Sequence, residues 1–149
     1  MSFKITPNLT ALQAYCDSNV PEVGKLLTLE KFAGGQSNPS FKLTTTTGEF
    51  VLRRQPLGNL LKSAHAVDRE YKVISALQKS NVPVPKAIHL CTDNEIIGSQ
   101  FFIMSFVSGD IFWNAAIATL DERPCFGESP NSKRAKIYDQ MNLALVSLH

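Results

Sequence analysis

Along the chain the spacing of apolar positions switches from a helical to a two-residue period and back, and these switches mark the elements. Thr6-Pro7-Asn8 followed by Leu9, Leu12 and Tyr15 predicts a capped, short amphipathic helix that packs on the outside and ends near Ser18-Asn19, just before Val20-Pro21. From Lys25 the period becomes two: Leu27 and Leu29 alternate with Thr28 and Glu30, giving a first strand to about Phe32 that Gly34-Gly35 ends. A second strand starts near Ser40, with Phe41 and Leu43 on one face and Lys42 and Thr44 on the other. Thr47-Gly48 is a tight turn into a third strand, Glu49 to Gln55, which stops where Pro56 removes the next ladder donor.

After a loop, Val67, Tyr71, Ile74 and Leu77 fall at helical spacing in a helix that begins at about Ala64. The prolines of Asn81-Val82-Pro83-Val84-Pro85 stop it. Ala87 to Thr92 is then a strand, Asp93-Asn94 a turn, and Gln100 to Val107 a further strand that Ser108-Gly109-Asp110 breaks. Phe101-Phe102-Ile103-Met104 is apolar on both faces, so this strand is expected to be central and covered on both sides. Ile111 to Leu120 fits a short helix, and Arg123 to Lys133 an exposed loop. Arg134 to His149 carries Ile137, Met141, Ala144, Leu145 and Leu148 on one stripe, a final helix without a stop signal. The order predicts an α+β fold: a five-stranded antiparallel sheet with one crossing helix, preceded by an N-terminal helical extension over 1–24 and followed by helices over 108–149.

Composition narrows the class. At 149 residues and 44% hydrophobic, the chain is long enough for one domain that buries about two-thirds of its unfolded surface. A formal net charge of +2 with 19% charged residues argues against a nucleic-acid-coating protein and against a disordered acidic tail. Cys16, Cys91 and Cys125 are far apart and lack C-x-x-C spacing, which reads as reduced thiols in a cytoplasmic-type compartment. No secretory signal opens the sequence, and no stretch approaches the roughly 20 apolar residues of a membrane span. His65, His89 and His149 are too scattered for a metal site.

Four segments can carry chemistry, and each also has a plain structural explanation. Gly34-Gly35-Gln36-Ser37-Asn38 joins two strands; its backbone N–H groups can approach a phosphate, with Ser37 and Asn38 as further donors, and the same residues suit an ordinary hairpin loop. Arg53 and Arg54 end the third strand, with Val51 and Arg53 on one face and Phe50, Leu52 and Arg54 on the other. Arg53 can reach a phosphate, or both arginines can simply be solvated. Glu70 sits one position before the stripe residue Tyr71, where an inward acid would need a cationic partner, Arg53, in a bidentate pair; it fits equally a solvated helix face. Met104-Ser105-Phe106-Val107-Ser108-Gly109 frees backbone groups that can pair with an adenine edge, or is a strand leaving the sheet.

Taken in order, these pieces resemble the aminoglycoside phosphotransferase and choline kinase superfamily, whose N-terminal lobe is like that of protein kinases. Phe50-Val-Leu-Arg-Arg-Gln-Pro56 and Leu60-Leu-Lys-Ser-Ala-His-Ala-Val-Asp-Arg-Glu-Tyr71 look most like the phosphotransferase-like domain that also occurs fused to some acyl-CoA dehydrogenases. The resemblance covers about Leu29 to His149. It implies a nucleotide-binding lobe over 25–107 and a hinge exit with the start of a C-lobe over 108–149. It implies Gly34, Gly35, Gln36, Ser37 and Asn38 as the phosphate-covering loop, Arg53 in place of the kinase lysine beside Val51, and Glu70 as its ion-pair partner. Met104 would sit behind the adenine, with the backbone of Ser105 and Val107 on its edge.

The family's H-G-D-x-x-x-x-N catalytic loop and later metal-binding acid do not occur in these residues. What the resemblance implies is therefore the front part of an ATP- or GTP-dependent, magnesium-requiring phosphotransferase acting on a small-molecule hydroxyl. The chain is expected to stop before the catalytic loop, to lack magnesium ligands, and to be inactive alone. Its partners would be a nucleotide and that hydroxyl acceptor, with neither nucleic acid nor membrane. The alternative is a non-catalytic nucleotide- or protein-binding module.

Overall fold

The computed structural model describes residues 6–33, 38–58, 66–109 and 133–148. The expected short helix Ile111–Leu120, and the expected loop Arg123–Lys133 up to its last residue, lie outside them. The elements are α1 (Leu9–Asn19), a 3-10 turn (Pro21–Val23), β1 (Leu26–Lys31), β2 (Ser40–Thr45), β3 (Glu49–Arg54), α2 (Val67–Leu77), β4 (Ala87–Cys91), β5 (Phe101–Ser105) and α3 (Lys133–Val146). The five strands form one antiparallel sheet in the order β1-β2-β3-β5-β4. This is the expected α+β fold.

Two compact units are formed: the described residues up to Lys79 with Val84–Val107, and Ser80–Pro83 with the described residues from Ser108 onward. In the first unit the sheet carries apolar side chains on both faces. Phe41, Leu43, Leu52, Phe101 and Ile103 are fully buried in one cluster with Leu12 and Cys16 of α1. Each such Leu or Phe contributes about 1.5–3 kcal/mol. So α1, expected on the outside, is part of the core. Leu12 and Cys16, four residues apart, lie on one side of the helix and are both buried in that cluster. Asn8 caps α1, its Oδ1 accepting from Thr10 N at 2.9 Å and Ala11 N at 3.4 Å. On the opposite face Tyr71 of α2 meets Phe102 edge-on with ring centres 6.0 Å apart. Thus β5 is covered on both sides, as its doubly apolar sequence required.

Two local features depart from plain alternation. A register irregularity between Leu26 and Thr28 sends Leu26 into the core and leaves Leu27 at 52% exposure, so Leu27 and Leu29 do not share an environment. Gly24, at φ 70°, closes the turn before β1; a Cβ there would lie 2.7 Å from Thr47 Cγ2 and 2.8 Å from Thr46 Oγ1.

In the second unit, Met141, Leu145 and Leu148 of the α3 segment are exposed, as are Leu143 and Val146. Among the described residues no helix is long and apolar enough to cross a membrane. Cys16 and Cys91 are free and buried, and burial pushes the Cys16 thiol up to about 11.

Candidate nucleotide site

The register of three neighbouring strands assembles the site. Ser40 lies opposite Arg53, and Arg53 opposite Phe102; one step along, Lys42 lies opposite Val51, and Val51 opposite Met104. Directly opposed residues share a face, so Ser40, Val51, Arg53, Phe102 and Met104 all stand on the side that α2 covers. The contact of Tyr71 with Phe102 fixes the rotation of α2, and Glu70, its sequence neighbour, is thereby turned towards Arg53.

The two meet in a fork. Arg53 Nε donates to Glu70 Oε2 at 2.5 Å and Arg53 Nη2 to Glu70 Oε1 at 3.3 Å, while Arg53 Nη1 donates to Ser40 Oγ at 3.0 Å. Both side chains are about one-third exposed, at 31% and 35%. The cation is therefore held on a surface that water or a ligand reaches. Asn38, only 3% exposed, donates from Nδ2 to Glu70 Oε1 at 2.7 Å. Of the loop expected to cover phosphates, Gly34, Gly35, Gln36 and Ser37 lie outside the described residues, and Asn38 has its side chain on the glutamate.

At the far end of the same face, β5 leaves the sheet. The Ser105 N–H donates to Lys86 O at 2.9 Å, and the Ser105 hydroxyl accepts from Lys86 N at 2.9 Å. Phe106 N donates to Glu49 O at 3.3 Å, which prolongs the ladder by one bond beyond the strand. Val107 is 67% exposed, and among the described residues its N–H makes no backbone hydrogen bond. Sequence reasoning did not single out the surroundings of this edge: the Phe106 and Phe32 rings lie parallel, 6° apart in plane and 6.3 Å between centres, and Lys42 Nζ is 4.6 Å over the Phe106 ring. Strict alternation from Met104 would have placed Phe106 on this face.

Arg54 behaves unlike its neighbour. It is 1% exposed on the opposite face, donating from Nη1 to Ile97 O at 3.4 Å and from Nε to Gln55 O at 3.3 Å, and burial lowers its pKa from the usual guanidinium value. The pair of solvated strand-end arginines is not what forms. Among the described residues no group of three or more His, Cys, Asp or Glu side chains can hold a metal ion.

Comparison with known proteins identifies the family to which this sheet and its crossing helix belong. Residues 28–149 match the model of the phosphotransferase enzyme family. The chain belongs to that family. It is 38% identical over 146 residues to acyl-CoA dehydrogenase family member 11 of Rattus norvegicus, covering 95% of this chain and 18% of that protein. It is 37% identical over 121 residues to acyl-CoA dehydrogenase family member 10 of Mus musculus, covering 81% of this chain and 10% of that protein. A crystal structure from Ralstonia eutropha, described as a candidate aminoglycoside phosphotransferase, superposes with a TM-score of 0.70 at 37% identity, over 95% of this chain and 38% of that one. The chain thus spans under one-fifth of these dehydrogenase-family relatives and well under half of that solved chain. The likeness to a phosphotransferase-like domain that occurs in acyl-CoA dehydrogenase family proteins is borne out.

Proposed function

We propose that this chain is the nucleotide-binding front part of an ATP- or GTP-dependent phosphotransferase that acts on a small-molecule hydroxyl. The observation that carries the reading is the Arg53–Glu70 fork, a cation fixed by two hydrogen bonds on a one-third-exposed surface. A buried structural ion pair would be closed to water, whereas this one keeps a charged edge available to phosphate oxygens. Arg53 holds the phosphates, and the described end of the glycine-containing segment, Asn38, lies beside it. Val51 and Met104 offer the apolar contact for the base. Val107 N–H and Ser105 C=O, the Ser105 N–H being committed to Lys86, face its hydrogen-bonding edge.

The bound nucleotide would supply the phosphoryl group. The part played by these residues is to orient it and to neutralise its charge. Among the described residues no group of three or more His, Cys, Asp or Glu side chains could serve as a magnesium ligand set, and the 149 residues contain no H-G-D-x-x-x-x-N segment. No step through magnesium is therefore assigned to this chain, and these residues alone are proposed to bind nucleotide without transferring phosphate.

Binding of fluorescent ATP, ADP and AMP analogues tests this. The reading expects affinity to fall as phosphates are removed, since the fixed contact is to the phosphate chain. Equal binding of AMP and ATP, or none by the folded chain, would contradict it.

A further inference from the structure

Asn38 is 3% exposed and sits at the end of the glycine-containing segment, where the sequence suggested a phosphate donor. Its amide instead reaches Glu70 Oε1 at 2.7 Å, the same oxygen that accepts from Arg53 Nη2. We propose that Asn38 is a positioning residue of the nucleotide site: it clamps the Glu70 carboxylate so that Arg53 presents its remaining donors to the phosphates. This rests on the reading of Arg53 as the phosphate-contacting cation.

A guanidinium has five N–H donors. Among the described residues Arg53 uses one on Nε and one on Nη2 for Glu70, and one on Nη1 for Ser40. One N–H remains on each terminal nitrogen, available to a phosphate. That supply depends on where the carboxylate lies. If Glu70 turned about its side-chain torsions, the fork would open and the free edge would swing with it. Four partly exposed torsions of Arg53 offer little resistance of their own, whereas Asn38 is fixed by burial and by its position two residues before β2, where Ser40 is already in register with Arg53. Asn38 and Ser40 therefore grip the two halves of the ion pair from one stretch of chain, and that stretch is the exit of the segment that would cover the phosphates.

The test uses the full chain labelled with nitrogen-15. The Arg53 Nε–H signal, assigned by its loss in Arg53→Lys, is expected to exchange slowly with water in the native chain. In Asn38→Ala its exchange rises at least tenfold and the affinity for magnesium ATP falls about fivefold. Asn38→Asp sets two carboxylates together and loses more. Combining it with Glu70→Gln exchanges donor and acceptor across the Asn38 bond and keeps the acceptor for Arg53 Nε, though not the one for Nη2, so Nε–H exchange should fall at least threefold from its Asn38→Asp value while affinity is only partly restored.

Unchanged Arg53 exchange in a folded Asn38→Ala chain overturns the proposal. If that variant does not fold, the comparison of Asn38→Asp with the double variant serves, and a double variant no better than Asn38→Asp overturns it. A native chain that binds no nucleotide, in which Asn38→Ala nevertheless releases the guanidinium, would sink the nucleotide reading and leave the clamp standing.

Discussion

Arg53 and Glu70 lie 17 residues apart and belong to different elements, yet they meet in a two-bond fork, Nε to Oε2 at 2.5 Å and Nη2 to Oε1 at 3.3 Å. β3 brings the cation and α2 the acid, and the edge-on contact of Tyr71 with Phe102 sets the distance between them. Because both partners are about one-third exposed, the pair adds ~1 kcal/mol or less to stability. What it fixes is a direction.

The neighbouring arginines are expected to separate function from stability. Arg54→Ala should lower unfolding free energy by about 3 kcal/mol, because it empties a buried volume and strips Ile97 O and Gln55 O of their donor. Arg53→Ala should cost ~1 kcal/mol or less. Urea unfolding of the two variants checks this, and equal losses would contradict it.

Gly24→Ala should destabilise by about 1–3 kcal/mol, since φ is 70° and the new Cβ would sit 2.7 Å from Thr47 Cγ2. Thr47 cannot simply rotate away, because its Oγ1 donates to Val23 O at 2.6 Å. Thermal melts of Gly24→Ala with and without Thr47→Ser, which removes the crowding methyl, measure the share due to the clash. A melt unchanged in Gly24→Ala would show that the turn yields.

Stability should also fall on mild acidification. His89 accepts or donates a hydrogen bond with Tyr15 through Nε2 at 2.8 Å, and its pKa is lowered by burial, with Glu22 opposing the shift. The folded state thus binds the proton less readily than the unfolded chain. The contribution is fully present above the unfolded value of about 6.5 and is lost as pH drops from there through the folded value. Melting temperatures of the native chain and His89→Gln between pH 7.5 and about 5 should converge at the acid end. Parallel curves would remove His89 from the explanation.

Most of the sheet and the pairing of Arg53 with Glu70 were legible because both rest on the periodicity of the side chains. Once the Thr47-Gly48 turn is placed, Val51 and Arg53 must share a face, and the stripe through Tyr71 puts Glu70 at its border. What alternation does not reveal is where a chain slips or where a polar group goes inside. The irregularity at Leu26/Thr28 is invisible in a run of Leu-Leu-Thr-Leu, so Leu27 was assigned to the wrong environment. Arg54 was read as solvated because charge normally is; its burial depends on backbone carbonyls of Gln55 and Ile97, which no side-chain pattern announces. The bond of Asn38 to Glu70 spans 32 residues, and no local pattern announces it. Phe106 missed notice for a different reason: the strand was expected to end in backbone chemistry, so its ring was not followed to Phe32.

The most direct measurement is calorimetric titration of magnesium ATP into the native chain and into Arg53→Ala, each shown to be folded by its melt. Charge-assisted hydrogen bonds from Arg53 to the phosphates would be worth about 1.5–3 kcal/mol each, so saturable binding should weaken by roughly tenfold or more in the variant. Native binding that survives Arg53→Ala undiminished, or no binding by the folded native chain, would contradict the assignment of this lobe as a working nucleotide site.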